Sequence, residues 1–223
     1  MIISLESEPL VRYVGRQLDT FFPDGLSTSP IATVIDEVLQ RLERCFSALN
    51  NRYFRRDGMA VFDHLHSDQY AMFLYFLSNT LWRSGADARL CNKVYCLLKM
   101  MNSIDIFYEV ALPDIFLLGH SIGSVLGRAS YSDYLLVQQN CTIGASREEP
   151  GGASGKYPTI GRFVAVYKGA SILGDCHIGE NCKIAAHSIL IDQDLPPDSL
   201  YIGTKDNHVI KPNLHHDNIW DPQ

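Results

Sequence analysis

Histidine and cysteine are the side chains here best able to do acid–base, nucleophilic or metal chemistry near neutral pH. The chain has eight of the first, His64, His66, His120, His177, His187, His208, His215 and His216, and six of the second, Cys45, Cys91, Cys96, Cys141, Cys176 and Cys182. No Cys-x-x-Cys occurs, and no histidine stands at metal-ligand spacing from a cysteine or carboxylate, so no metal site is expected. His64 and His66 bracket Leu65 just before a helix start, and His215 and His216 lie in a polar tail. Structural or solvent roles suffice for all four. His177 and His187 fall at outward positions of a repeat. His120, within Leu118-Gly119-His120-Ser121-Ile122-Gly123, needs a separate account.

The elements that would position these residues are legible from Pro158 to Thr204. An aliphatic residue recurs at every sixth position: Ile160, Val166, Ile172, Ile178, Ile184 and Leu190, returning at Ile202 after a skip at Pro196. Two residues before each of the first six sits a compact one: Pro158, Val164, Ala170, Cys176, Cys182 and Ser188. Neither a helix nor a flat strand has a period of six, whereas a parallel β-helix with three short faces per coil does. The cysteines in these slots act as compact hydrophobes. Upstream, Val125, Tyr131, Val137 and Ile143 keep the spacing. Between Ile143 and Ile160 the count breaks, and Ser146 to Tyr157 reads as one loop extruded from the coil, the kind of segment that carries function.

The N-terminal half is helical in pattern. Pro9 to Phe22 and Ile31 to Leu49 show amphipathic spacing, and Ala86 to Met101 forms another helix. Arg52 to His66 is ambiguous. Ser67 can cap a helix running from Asp68 through Trp82, apolar nearly all round and in need of cover from most sides, for instance by a neighbouring subunit. The expectation is an α+β chain: a helical domain over residues 1–103, a β-helix over 104–205, and a tail over 206–223. A short β-helix has exposed strand edges, which such prisms bury by packing three-fold, with clefts between neighbours. A homotrimer, or two trimers joined through their helical domains, follows.

Net charge is −6 with a pI near 5.7, which argues against nucleic acid or an anionic membrane as partner. No apolar run is long enough for a membrane span, and Met1 to Asp24 lacks the basic start and apolar middle of a signal peptide. Reduced cysteines in a cytoplasmic protein are expected.

The segment Ile115-Phe116-Leu117-Leu118-Gly119-His120-Ser121-Ile122-Gly123-Ser124-Val125-Leu126-Gly127 resembles the active-site coil of the serine O-acetyltransferases, within the left-handed β-helix (hexapeptide-repeat) acyltransferases. The resemblance continues through Cys141-Thr142-Ile143-Gly144, Lys156-Tyr157-Pro158-Thr159-Ile160, Gly169 to Asp175, Lys183-Ile184-Ala185-Ala186 and Pro196-Pro197, and covers roughly Ser67 to Gly203. It implies acetyl transfer from acetyl-CoA, with His120 as general base and Asp105, fifteen residues earlier, orienting the imidazole.

The acceptor side departs from the family pattern. Gly119 stands where the family has an aspartate reading the amino group of serine. Tyr157 replaces a second histidine, with Lys156 in the place of an arginine. A third acidic residue corresponds to Asp57 or Asp68. For acetyl-CoA the resemblance points to a groove between subunits lined by Gly144, Ala145, Lys168, Lys183 and Ala186, the lysines meeting phosphates. Three functions stay open: an acetyltransferase for a non-serine hydroxyl or amine such as an amino sugar, a true serine O-acetyltransferase, and a CoA-binding scaffold that turns over poorly.

Overall fold

Helices build the first part of the chain and short parallel strands the second in the computed structural model, which describes residues 1–146, 156–215 and 218–221. Two units separate, Met1–Glu109 with Asn218–Gln223, and Val110–Asp217.

In the first unit, strand β1 (Ile2–Ile3) precedes helices α1 (Ser7–Phe21) and α2 (Pro30–Ser47). Pro30 at the first turn of α2 is where a missing N–H costs nothing. Strands β2 (Arg55–Arg56) and β3 (Met59–Phe62) follow, then helices α3 (Ser67–Arg83) and α4 (Ala88–Asn102). The segment left ambiguous by the sequence is thus a hairpin. Asp57 and Gly58 form its two-residue turn at φ 52° and 78°, the primed geometry that suits tightly joined strands.

The cap of α3 falls one residue earlier than the sequence indicates. The His66 ring accepts a hydrogen bond from the Gln69 N–H, and Ser67 is already helical. Every residue from Gln69 to Leu81 is buried within this chain, with α2 and α4 packed against the helix and Phe62, Phe73 and Tyr70 stacked ring on ring. No neighbouring subunit is required to cover it. Residues near the C-terminus return to this unit rather than trailing as a tail: Trp220 bridges to Leu49, and Arg55 pairs with Asp221.

The second unit is the left-handed β-helix. Its first face holds β4 (Phe116–Gly119), β7 (Leu135–Gln138), β10 (Ala165–Val166), β13 (Lys183–Ile184) and β15 (Ser199–Thr204). The second face holds β5 (Val125–Leu126), β8 (Thr142–Gly144), β11 (Ser171–Leu173) and β14 (Ile189–Ile191); the third holds β6 (Ser130–Tyr131), β9 (Thr159–Ile160) and β12 (His177–Ile178). Parallel pairing stacks the interior into three columns: Leu118, Val137, Val166, Ile184 and Tyr201; Leu126, Ile143, Ile172 and Leu190; Tyr131, Ile160, Ile178 and Leu195. Nearly all are fully buried, at roughly 1.5–3 kcal/mol per large aliphatic.

Two inward positions differ from strict six-residue counting. Leu126 rather than Val125 enters the core, because the corner after β4 takes up extra residues. At the other end Tyr201 is inward and Ile202 exposed, because Leu195 fills the third column within a shorter connection. The compact slots Val164, Ala170, Cys176, Cys182 and Ser188 are buried as expected. Cys176 and Cys182 turn their thiols onto the carbonyls of Leu173 and Pro196, and burial pushes both thiols above their usual range. No disulfide joins any of the six cysteines. The last strand, β16 (Asn207–Pro212), pairs antiparallel with β15 where the sequence indicated a tail. Residues 147–155, most of the expected extruded loop, lie outside the described residues.

Candidate active site

His120 stands at the turn between the first and second faces of the first coil. Strand β4 pairs with β7 through Gly119↔Gln138, after which the backbone leaves the sheet and His120 adopts φ 54°. That turn is tied from below: the Asn140 N–H donates to the Ile122 carbonyl, the Ser124 hydroxyl donates to the Gln138 carbonyl, and Ser124 Oγ accepts from the Cys141 N–H. Gly123 completes it at φ 71°, where a Cβ would lie 2.2 Å from Asn140 Oδ1. The imidazole is consequently carried on the outside of the prism, exposed to solvent, by a corner with little freedom to move.

Asp105 belongs to the first unit. Helix α4 ends at Ser103 in the left-handed conformation, φ 53°, which reverses the chain and returns Asp105 alongside the helix. There the Tyr95 hydroxyl donates to Oδ1 at 2.6 Å and the Lys99 ammonium to Oδ2 at 2.6 Å. Burial pushes the Asp105 carboxyl up, but the hydrogen bonds from Lys99 and Tyr95 outweigh it and hold the group below its ordinary value. The same contacts raise Lys99. Phe107 packs edge-on to Tyr95, and the Asn79 amide donates to the Tyr108 carbonyl, so the segment after Asp105 is clamped as well. Sequence reading missed Tyr95 and Lys99; their one-turn spacing on α4, just before the aspartate, is the signal that pointed to them.

The remaining sequence-derived site residues fall into separate places. Asp57 is the exposed turn residue of the β2–β3 hairpin, and Asp68 sits in the first turn of α3, where a carboxylate complements the helix dipole. Within the β-helix two edges can be distinguished. His120, Lys168 and Ala186 lie on the edge between the first and second faces, on the first, third and fourth coils, all exposed; Lys183 is half-buried in β13 just before that edge. Gly144, Ala145, Lys156 and Tyr157 lie on the edge between the second and third faces. Gly144 is buried and its carbonyl accepts from the Gly174 N–H, while Ala145 is half-buried. Lys156 is bound to Asp175 at 2.6 Å, which raises its pKa, and Tyr157 is partly exposed. Beside Tyr157 opens a groove of about 590 Å³ that Arg128, Ser130, Tyr131 and Thr159 help to line. Arg128 was not singled out from the sequence.

One prism therefore does not bring its own imidazole to its own Tyr157. Chemically, the first edge offers an exposed base followed down the axis by a cation and small residues, and the second offers a polar groove.

Residues 157–192 match the family described as bacterial transferase hexapeptide (six repeats). The chain is 32% identical over 108 residues to a serine acetyltransferase of Synechococcus elongatus, an alignment covering 48% of this chain and 43% of that protein. It is 27% identical over 136 residues to the serine acetyltransferase of Mycobacterium tuberculosis, covering 60% and 57%. It thus spans about half the length of these curated relatives. Among solved structures, serine acetyltransferase from Neisseria gonorrhoeae superposes with a TM-score of 0.71 at 19% identity, covering 96% of this chain and 85% of that one. The soybean serine acetyltransferase apoenzyme gives 0.70 at 21% identity, covering 93% and 84%. At these identities the structural likeness is one of fold. No helix is long and apolar enough to cross a membrane among the described residues.

Proposed function

We infer that this chain, a serine O-acetyltransferase-like hexapeptide-repeat protein, transfers an acetyl group from acetyl-CoA to the hydroxyl of a small serine-like acceptor. The observation that carries the reading is His120, an exposed imidazole fixed at a rigid outer corner of the first coil, on the edge that Lys168 and Ala186 continue. In this reading His120 takes the proton of the acceptor hydroxyl as its oxygen attacks the thioester carbon. The carbon–sulfur bond then breaks, the proton passes to the departing thiolate, and the products are an acetyl ester and free CoA. Asp105 orients the imidazole and stabilises its charged form, as an aspartate does for a catalytic histidine elsewhere.

The donor would run along the axis from His120. Coils repeat at about 4.8 Å, so Lys168 stands roughly 10 Å and Lys183 roughly 14 Å down the prism, within reach of the phosphates of an extended CoA. Because His120 and Tyr157 occupy different edges, a site using both takes them from two copies. We propose a homotrimer on that ground, with joining of two trimers through the helical units as its extension. Six cysteines outside any disulfide fit a reducing, cytoplasmic setting.

Serine itself is favoured by the named relatives. A different hydroxyl compound is favoured by Gly119, which brings no carboxylate to an ammonium, and by Lys156, already committed to Asp175. One assay decides: thiol release from acetyl-CoA in the presence of serine, amino sugars or sugar alcohols. Release with serine alone identifies a serine acetyltransferase, and release with another acceptor a relative of altered specificity. Silence with every acceptor overturns the enzymatic reading and leaves a CoA-binding scaffold.

A further inference from the structure

We propose that Arg128 reads the carboxylate of the acceptor, so that the groove beside Tyr157 takes a small hydroxy acid. The inference rests on the acetyl-transfer reading and narrows its substrate class. The groove holds about 590 Å³ and is lined by Arg128, Ser130, Tyr157 and Thr159 among others, with no carboxylate among the described residues that line it. Its walls are firm. The Tyr131 hydroxyl donates to the Gly127 carbonyl at 2.8 Å, closing the corner that carries Arg128, and the Ser130 N–H donates to the Pro158 carbonyl at 2.9 Å.

Among the described residues, Lys156 and Arg128 are cations near this edge, and they differ. The Lys156 ammonium is 2.6 Å from Asp175 and so is already neutralised. Arg128 is exposed and makes no hydrogen bond or ion pair with a described residue, although a planar guanidinium can hold a carboxylate through two parallel hydrogen bonds. Height along the prism then separates the possible sources of an anion. Ser130 and Tyr131 lie on the first coil, the coil of His120, and Thr159 on the second. Lys168 and Lys183 lie on the third and fourth, roughly 10–14 Å from the level of the base. A negative group at Arg128 is therefore level with the reacting hydroxyl, and the donor's phosphates belong further down.

The test uses the full chain and its Arg128→Gln and Arg128→Lys variants, with thiol release measured for acceptors paired to differ only in charge: D-glycerate against glycerol, and L-serine against serinol. In the native protein each acid should exceed its alcohol in kcat/KM by about tenfold or more. Arg128→Gln should bring that ratio within about threefold with the acetyl-CoA KM unmoved, and Arg128→Lys should fall between. An unchanged ratio with a raised acetyl-CoA KM would assign Arg128 to a donor phosphate and overturn the proposal, as would better use of the alcohols by the native protein. Calorimetric titration of D-glycerate and L-serine gives a readout independent of turnover. About tenfold weaker binding in Arg128→Gln supports the proposal even if no acetyl group moves, in which case the enzymatic reading alone falls. If neither acid binds the native protein, the proposal fails.

Discussion

The Lys99 ammonium sits 2.6 Å from Asp105 Oδ2, one helical turn beyond the Tyr95 hydroxyl that holds the other oxygen. Burial disfavours the ionised carboxyl, and the two donors more than reverse this, so its folded pKa lies below 3.8. A depressed carboxyl contributes stability that is fully present above its unfolded pKa and is lost as pH falls through the folded one; a raised ammonium contributes stability that is present below its unfolded pKa and lost as pH rises through the folded one. Lys99→Met should consequently lower the melting temperature by a nearly constant amount between about pH 5 and pH 9, with the gap closing at both extremes. Because Lys99 is half exposed, the loss is at most about 1 kcal/mol, or roughly 2–4 °C. Melts across pH 3 to 11 check it, and a gap that persists undiminished at pH 3 refutes it.

If Asp105 acts through His120, their substitutions are not independent. His120→Ala is expected to reduce turnover by about a hundredfold or more, the scale of a lost general base. Asp105→Asn should cost at least about tenfold, and the double variant should be no slower than His120→Ala alone, since a carboxylate has nothing left to orient. Steady-state rates with acetyl-CoA and the best acceptor measure all three. Multiplicative losses would mean that Asp105 serves the fold instead.

Much of the β-helix was readable because its core repeats: from Ile160 to Leu190 each sixth residue is inward, and no other structure has that period. The reading slipped where neighbouring residues are both apolar and a corner changes length. Val125 and Leu126 satisfy hydrophobicity equally, and so do Tyr201 and Ile202; only the pairing of Leu126 with Ile143 and of Tyr201 with Ile184 decides. Of the site, His120 and Asp105 came from resemblance. Arg128, Tyr95 and Lys99 did not, since their meaning depends on what the turn after β5 and the reversal at Ser103 bring beside them. The Asp57-Gly58 hairpin carried a usable signal, a turn pair with left-handed tolerance between short strands, that was not used.

That register is itself testable. Leu126 is buried and Val125 is 41% exposed. Leu126→Ala should destabilise by roughly 2–5 kcal/mol through lost burial and a residual cavity, whereas Val125→Ala should cost under about 0.5 kcal/mol. Denaturant melts of the two variants separate the inward residue from the outward one, and equal losses would return the coil to strict six-residue counting.

Gly119 can accept the side chain that the resembled family carries there. A Cβ at this position would meet only Leu136 Cδ1 at 3.9 Å and Gln138 Cγ at 4.0 Å, ordinary contacts, with no left-handed backbone to oppose it. Gly119→Asp should fold normally and shift preference toward an acceptor bearing an ammonium, with L-serine gaining about tenfold over D-glycerate, equivalent to about 1.4 kcal/mol. The ratio of kcat/KM values is the measurement. If it stays put, position 119 does not face the acceptor's amino group.

The separation of His120 and Tyr157 onto two edges of one prism makes a stronger demand. Should the site use both, each copy supplies half of two different sites, and inactive variants can repair one another. His120→Ala lacks the base but keeps a normal Tyr157; Tyr157→Ala lacks the phenol but keeps a normal base. In a mixed trimer some sites combine the intact imidazole of one copy with the intact tyrosine of the next. Denaturing the two variants together and refolding them should therefore restore a substantial fraction of native turnover, while each refolded alone stays depressed, and light scattering should report a mass about three times that of the chain. No recovery from a demonstrably mixed trimer would mean that the imidazole and the phenol do not serve a common site.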